Sequence, residues 1–217
     1  DRMRVTKAIK KEQLRRLQEV YRDARPALHY TSPFTLLVAT ILSAQCTDER
    51  VNVVTARLFL RLDTPEKMVQ LTQSELEGEI HDCGLFRSKA KHILAMSHML
   101  IENYGGEVPE EFDELIKLPG VGRKTANVVR SVYWGYPGIA VDTHVFRVSN
   151  RLGLAKGSTP LEVEMGLQKV IPRNDWGHAH HWLIWHGRKI CHARKPECEK
   201  CFLSDICPSS TVQHSKK

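Results

Sequence analysis

The sequence predicts an all-α fold, and three observations carry the prediction. A capping hydroxyl stands directly before a proline at Ser32-Pro33, Thr64-Pro65 and Thr159-Pro160. That pairing starts helices, because the hydroxyl bonds a free N–H and proline at the first helical position gives up a donor that would go unpaired anyway. Thr72 with Glu75, and Thr159 with Glu162, have the spacing of capping boxes. Apolar residues recur at intervals of three and four through Ile93, Met96 and Leu100, through Phe112, Leu115 and Ile116, and through Val141, Val145, Val148 and Leu152. This is the period of one helix face.

Taken in order, helices begin after Ser32, after Thr64 and at Thr72, and another carries Ile93 to Leu100. A further helical pattern opens at Pro109, and after a break at Pro119 to Gly122 the next runs to about Tyr133. The segment Ile139 to Val148 is rich in β-branched residues and could pass for a strand, but its helical spacing and Asp142 at a possible cap assign it to helix. A last helix follows Thr159, and a Trp- and His-rich helical stretch precedes the C-terminal cysteines. The final nine residues have the composition of a disordered tail.

A chain of 217 residues with 41% hydrophobic content can bury a substantial core in one large or two small domains. Lys and Arg number 32 against 25 acids, a net charge of +7, which makes nucleic acid the first candidate partner. The charge is uneven. Residues 1–30 hold nine basic and four acidic side chains and residues 181–217 hold seven and three, whereas 102–117 holds one Lys and six acids. The longest apolar run, Phe34 to Leu42, falls far short of the ~20 residues a bilayer requires. Nothing in the N-terminal stretch resembles a secretory signal, so an intracellular protein is expected, in the cytoplasm or nucleoid if bacterial. Six cysteines in such a protein indicate metal or redox chemistry more than disulfides.

The stretch Leu118-Pro119-Gly120-Val121-Gly122-Arg123-Lys124-Thr125-Ala126 lies between two helical patterns. Pro119 ends the first, and Gly120 and Gly122 are expected to take positive φ angles and to let main-chain donors approach a partner closely. Free N–H groups at the positive end of a helix form an anion site, so a phosphate could dock there, although an ordinary turn between helices is the blander reading. Lys124 falls in the first turn of the second helix, where stability alone would favour an acid. Asp142, in Val141-Asp142-Thr143-His144-Val145, reads first as an N-cap. Cys191, Cys198, Cys201 and Cys207 form C-x6-C-x2-C-x5-C within 17 residues. Four thiolates so close can wrap one metal centre, and their chemistry admits either zinc or an iron–sulfur cluster. Cys46 and Cys83 stand apart and read as buried thiols, and His144, His178, His180 and His181 as packed or hydrogen-bonded histidines.

The hairpin stretch closely resembles the helix-hairpin-helix of the endonuclease III superfamily of base-excision glycosylases. The cysteine spacing resembles the [4Fe–4S] loop of the same family, and Ser43-Ala44-Gln45-Cys46-Thr47-Asp48 its Ser-Ala-Gln-x-Thr-Asp motif. The likeness runs from about residue 10 to Pro208 with no departure at a catalytic position. It implies a two-domain helix-hairpin-helix DNA glycosylase fold with a C-terminal cluster loop. A six-helix barrel domain over 27–137 would contain the hairpin at about 109–134, and residues 1–26 with 138–217 would form the cluster domain, its loop at 191–207.

The resemblance also implies roles. Lys124 would attack the sugar C1′ and form a Schiff base that leads to strand cleavage by β-elimination. A lysine amine is protonated at neutral pH, so the role requires its discharge, and the helix terminus and Arg123 act in that direction. Asp142 would stabilise the positive charge that builds on the sugar. Gln45 would enter the space vacated by an extruded base, with Leu85 of Gly84-Leu85-Phe86 at a wedging position. Gly120, Val121, Gly122 and Arg123 would hold a phosphate, and Arg194 and Lys195 inside the cysteine loop would meet others. The expected partner is double-stranded DNA carrying an oxidised pyrimidine or abasic site, bound by a monomer with no membrane involved. Three readings compete. A monofunctional adenine or mismatch glycosylase of the same superfamily generally lacks a lysine at this hairpin position, so Lys124 argues against it. The others are a non-enzymatic DNA-binding protein with a structural metal, and an RNA-binding protein.

Overall fold

The computed structural model describes residues 3–23 and 28–212, and every regular element among them is helical. The α-helices are α1 (Lys7–Val20), α2 (Pro33–Leu42), α3 (Asp48–Leu58), α4 (Pro65–Met68), α5 (Gln73–Glu79) and α6 (Phe86–Tyr104). They continue with α7 (Phe112–Leu115), α8 (Arg123–Trp134), α9 (Thr143–Leu152), α10 (Pro160–Val170) and α11 (Trp176–Lys189), with short 3-10 turns at Arg173–Asp175, Cys198–Lys200 and Ser204–Ile206. The hydroxyls of Ser32, Thr64, Thr72 and Thr159 cap α2, α4, α5 and α10 as the sequence predicts, and Glu75 closes the expected box with Thr72, but Glu162 accepts from the Ser158 N–H at 2.8 Å instead of closing one with Thr159. The chain forms two compact units, Pro26–Tyr136 and the combination of Asp1–Arg25 with Pro137–Lys217. Residues 24–27, where the expected boundary falls, and 213–217, most of the expected tail, lie outside the described residues.

In the Pro26–Tyr136 unit, α2 is the central helix, with α3, α6 and α8 packed against it. Phe34 to Leu42 is buried on every side, which explains the apolar run: it is an interior helix. Its two buried threonines are satisfied locally. Thr35 closes a capping box with Ser32, and Thr40 Oγ1 donates to the Leu36 carbonyl at 2.7 Å. Leu36, Leu37, Leu58, Met68, Leu76, Ile93, Met96 and Leu100 complete a core in which each buried side chain is stabilised by about 1.5–3 kcal/mol relative to exposure. No helix among the described residues is long and apolar enough to cross a membrane.

In the other unit, α9 packs on α11 and α10, and α1 lays Leu14 and Leu17, and Tyr21 just past its end, into the same core. The approach of α9 to α11 requires Gly187, where a Cβ would lie 3.0 Å from His144 Cβ. Gln13, fully buried on α1, donates from Nε2 to the carbonyls of Leu152 (2.9 Å) and Ile206 (3.0 Å). Arg16 adds bonds to Asp205 and to the Phe202 carbonyl, so the N-terminal helix is tied to the cysteine loop.

Two local expectations are corrected. Ile139 to Asp142 has no regular structure, Asp142 itself being extended, and α9 starts only at Thr143. The Ala140 carbonyl, which a helix would need, accepts from His180 Nδ1 at 2.7 Å instead. The first hairpin helix is a single turn, Phe112–Leu115, and does not open at Pro109. There the Glu110 carbonyl accepts from Arg130 Nε at 3.0 Å, again a tertiary bond in place of a helical one.

Candidate active site

Between α7 and α8 the chain reverses over Ile116–Gly122, and the two glycines play different parts. Gly120 has φ +78°, and a Cβ there would sit 2.9 Å from His92 Cβ and 3.4 Å from Ile41 Cδ1. Both conformation and space require glycine. Gly122 departs from expectation: its φ is −97°, open to any residue, and nothing lies within 4 Å of where its Cβ would be. Its lack of a side chain leaves clear space in front of α8, for which it is the N-cap and where no side chain caps the helix. Lys124 projects from this uncapped first turn and is exposed. Val121 is a core residue whose N–H donates to the Leu118 carbonyl at 3.1 Å, so the donor expected to face a phosphate serves the turn. The Arg123 guanidinium lies over the Phe112 ring, 5.2 Å from its centroid, bracing the two sides of the hairpin.

A second group in the same unit joins the segments after α2 and before α6. Gln45 (φ 53°) and Leu85 (φ 59°) are both left-handed, a conformation costing an L residue roughly 1–2 kcal/mol. Both are exposed, Leu85 by 56%. They are neighbours across Gly84, whose absent Cβ would lie 3.4 Å from the Gln45 carbonyl oxygen. Strain held in an exposed glutamine and an exposed leucine on adjoining loops is a mark of function, because stability gains nothing from it. Cys83 is buried and Cys46 half-buried nearby, and burial raises the Cys83 thiol to about 11.

Asp142 belongs to the other unit and does cap α9: its Oδ1 accepts from the Val145 N–H at 2.8 Å. Oδ2 makes no hydrogen bond among the described residues, so one oxygen is structural and one is available. His144 Nδ1 lies 3.1 Å from Arg147 Nη2, and His180 is the Ala140 partner, so these histidines are hydrogen-bonded as expected.

The four cysteines of 191–207 share one neighbourhood. The charges of Cys191 and Cys198 raise the Cys201 thiol, those of Cys201, Cys191 and Cys198 add to the rise of the Cys207 thiol to about 11, and burial dominates both shifts. Ionised sulfurs at Cys201 and Cys207 would therefore be stabilised by a bound cationic centre. Donors already face the sulfurs. Arg151 Nη1 lies 3.4 Å from Cys191 Sγ, and the Leu203 N–H 3.4 Å from Cys201 Sγ. His186 Nε2 stands 3.5 Å from Cys201 Sγ while its Nδ1 meets Tyr21 Oη at 2.8 Å, and burial lowers its pKa to about 4, keeping the ring neutral. Arg194 and Lys195 are exposed on the same loop, Lys195 with φ 52°.

Sequence reasoning missed Gln13, Arg147, Arg151, His186 and Lys89. Arg147 donates to the Cys191 and Gly187 carbonyls, and Arg151 to those of His192 (2.6 Å) and Ala193 (3.0 Å), so α9 grips the start of the loop. Their spacing of four on one helix was the available signal.

Comparison with known proteins places the arrangement in a class. Residues 38–173 match the HhH-GPD superfamily base excision DNA repair protein family, and residues 191–207 match the iron–sulfur binding domain of endonuclease III. Endonuclease III of Rickettsia conorii is 57% identical over 185 residues, 85% of this chain and 88% of that protein. Its Bacillus subtilis counterpart is 50% identical, covering 94% of this chain and 93% of that protein. A trapped endonuclease III–DNA covalent intermediate superposes with a TM-score of 0.92 at 48% identity, over 95% of this chain and 98% of that one. The chain belongs to the endonuclease III family of base-excision DNA glycosylases, and its cofactor is a [4Fe–4S] cluster.

Proposed function

We propose that the chain removes oxidised pyrimidines from duplex DNA and then cuts the strand at the abasic sugar, with Lys124 as nucleophile and Asp142 as the stabilising carboxylate. The observation that carries the proposal is an exposed lysine in an uncapped, glycine-fronted helix start. The uncapped α8 terminus offers its dipole to a backbone phosphate, and Lys124 next to it meets the sugar. The Lys124 amine bonds to C1′ as the N-glycosidic bond breaks, and the base leaves with the bond's electron pair and takes up a proton. The ring then opens, the nitrogen lone pair forming the C1′=N bond of a Schiff base as the C1′–O4′ bond breaks and O4′ takes up a proton; loss of a C2′ proton expels the 3′ phosphate, and water hydrolyses the imine to an unsaturated aldehyde, returning the amine. The unbonded Asp142 Oδ2 steadies the cationic sugar and takes protons from the departing intermediates. Gln45 and Leu85, held in strained exposed conformations, fill the stack and wedge it when the base leaves. Cys191, Cys198, Cys201 and Cys207 would hold the cluster, whose iron–sulfur bonds fix the loop that presents Arg194 and Lys195 to phosphates. We infer an intracellular site of action at the DNA, the hairpin unit and the cluster unit being the two working domains.

The test is a duplex carrying one thymine glycol, incubated with the protein with and without borohydride. Base release, strand cleavage and a covalent adduct are expected, and Lys124→Gln should abolish the adduct. An adduct formed undiminished by Lys124→Gln would assign the nucleophile elsewhere.

A further inference from the structure

Lys89 is almost wholly buried, 4% exposed, in the second turn of α6. Its Nζ donates to the carbonyls of Leu42 at 2.8 Å and Ala44 at 2.6 Å. Leu42 is the last residue of α2 and Ala44 directly precedes Gln45. The main-chain N–H of the same lysine donates to the Leu85 carbonyl at 3.0 Å. One residue therefore bonds the backbone of Leu85 and the backbone leading into Gln45. No acid forms an ion pair with it among the described residues. Burial pulls its ammonium below the usual lysine range, and the carbonyl end of α2 provides the compensating negative potential. An apolar side chain of equal length would fill this space without the desolvation cost. It could not fix two carbonyls across the gap between α2 and α6. The turn's backbone bonds and the bond from Ser43 Oγ to the Thr40 carbonyl are local, and the Cys46–Cys83 side-chain bond reaches the segment before α6 but no residue of α6 itself.

We infer that Lys89 is a positioning residue which sets Gln45 and Leu85 at one fixed separation, and that excision from duplex DNA depends on this clamp. The inference rests on the reading that Gln45 and Leu85 occupy the DNA stack. Lysine chemistry at a preformed abasic sugar in a single strand has no stack to fill, so it should be indifferent to the clamp.

The experiment compares two substrates, a thymine glycol duplex and a single-stranded oligonucleotide with one abasic residue. Lys89→Met is expected to lower kcat/KM on the duplex by about tenfold or more while single-strand cleavage changes by less than about twofold. Adding Gln45→Ala to Lys89→Met should cost little beyond the larger single effect, because the two act through one element. If Lys89→Met does not fold, Lys89→Gln carries the same comparison at smaller amplitude, about threefold on the duplex alone. Full duplex activity, an equal fall on both substrates, or additive losses would each overturn the inference. A Gln45→Ala, Leu85→Ala protein separates the two levels. If it excises from duplex normally, the stack-filling reading fails and the clamp with it. If it is impaired while Lys89→Met is not, the clamp alone fails.

Discussion

Asp142 Oδ1 accepts the Val145 N–H at 2.8 Å and leaves Oδ2 without a hydrogen bond among the described residues, so a single carboxylate has one structural oxygen and one idle one. Asparagine caps helices about as well as aspartate. Asp142→Asn should thus keep stability within about 0.5 kcal/mol, yet lower base excision by roughly 100-fold or more, the scale of a lost acid–base group. Asp142→Ala should lose the cap as well, about 1 kcal/mol in denaturant unfolding. If the Asn protein excised normally, the carboxylate would be a cap and nothing more.

The two hairpin glycines should part company under substitution. Gly120→Ala meets both a left-handed backbone and His92 Cβ at 2.9 Å, so a loss of about 2–5 kcal/mol is expected on thermal or denaturant unfolding. Gly122→Ala has an ordinary φ and empty surroundings, and its stability should change by about 0.5 kcal/mol or less. Its cost should fall on DNA instead, because a methyl would occupy the space before the α8 N-terminus. Duplex affinity by fluorescence anisotropy checks this, and unchanged affinity would detach Gly122 from phosphate binding.

What the sequence disclosed was whatever is carried locally. Hydroxyl–proline pairs mark helix starts through bonds three residues long, so α2, α4 and α10 were legible. Asp142 was legible as a cap for the same reason. The failures have a common cause: at Glu110 and Ala140 a carbonyl is taken by a side chain 20 and 40 residues away. No window of sequence contains both partners. Lys89 was hidden likewise, since a lysine on a helix reads as a solvated face until its two carbonyl partners, 45 and 47 residues earlier, are in view. The strain at Gln45 and Leu85 was invisible too, because nothing in Gln or Leu announces a positive φ.

Arg151 offers a test of the cluster loop. It reaches Cys191 Sγ and the carbonyls of His192 and Ala193, three bonds from one guanidinium to the loop's first turn. Arg151→Met removes the charge and every donor. With one charged hydrogen bond worth about 1.5–3 kcal/mol, loss of visible cluster absorbance in the presence of a chelator should accelerate roughly tenfold or more. Equal bleaching in the two proteins would show that the loop is held by the cluster alone.

Arg194 and Lys195 lie in the long first interval of the cysteine loop, both exposed and neither in an ion pair among the described residues. Lys195 is held left-handed at φ 52° directly before Pro196, a conformation that fixes where the chain turns and hence where the two side chains emerge. Two cations displayed this way gain nothing from the protein's own charges, and phosphates are the natural counterparts. Each phosphate contact contributes about 0.9 to the dependence of log K on log salt. Replacing both residues with alanine should therefore flatten that slope by about 2 and weaken binding to damaged and undamaged duplex alike. Cleavage at saturating DNA should stay near the native rate, because neither residue meets the sugar. If the slope were unchanged, the loop would lie off the DNA, and the positive charge gathered there would need another anion.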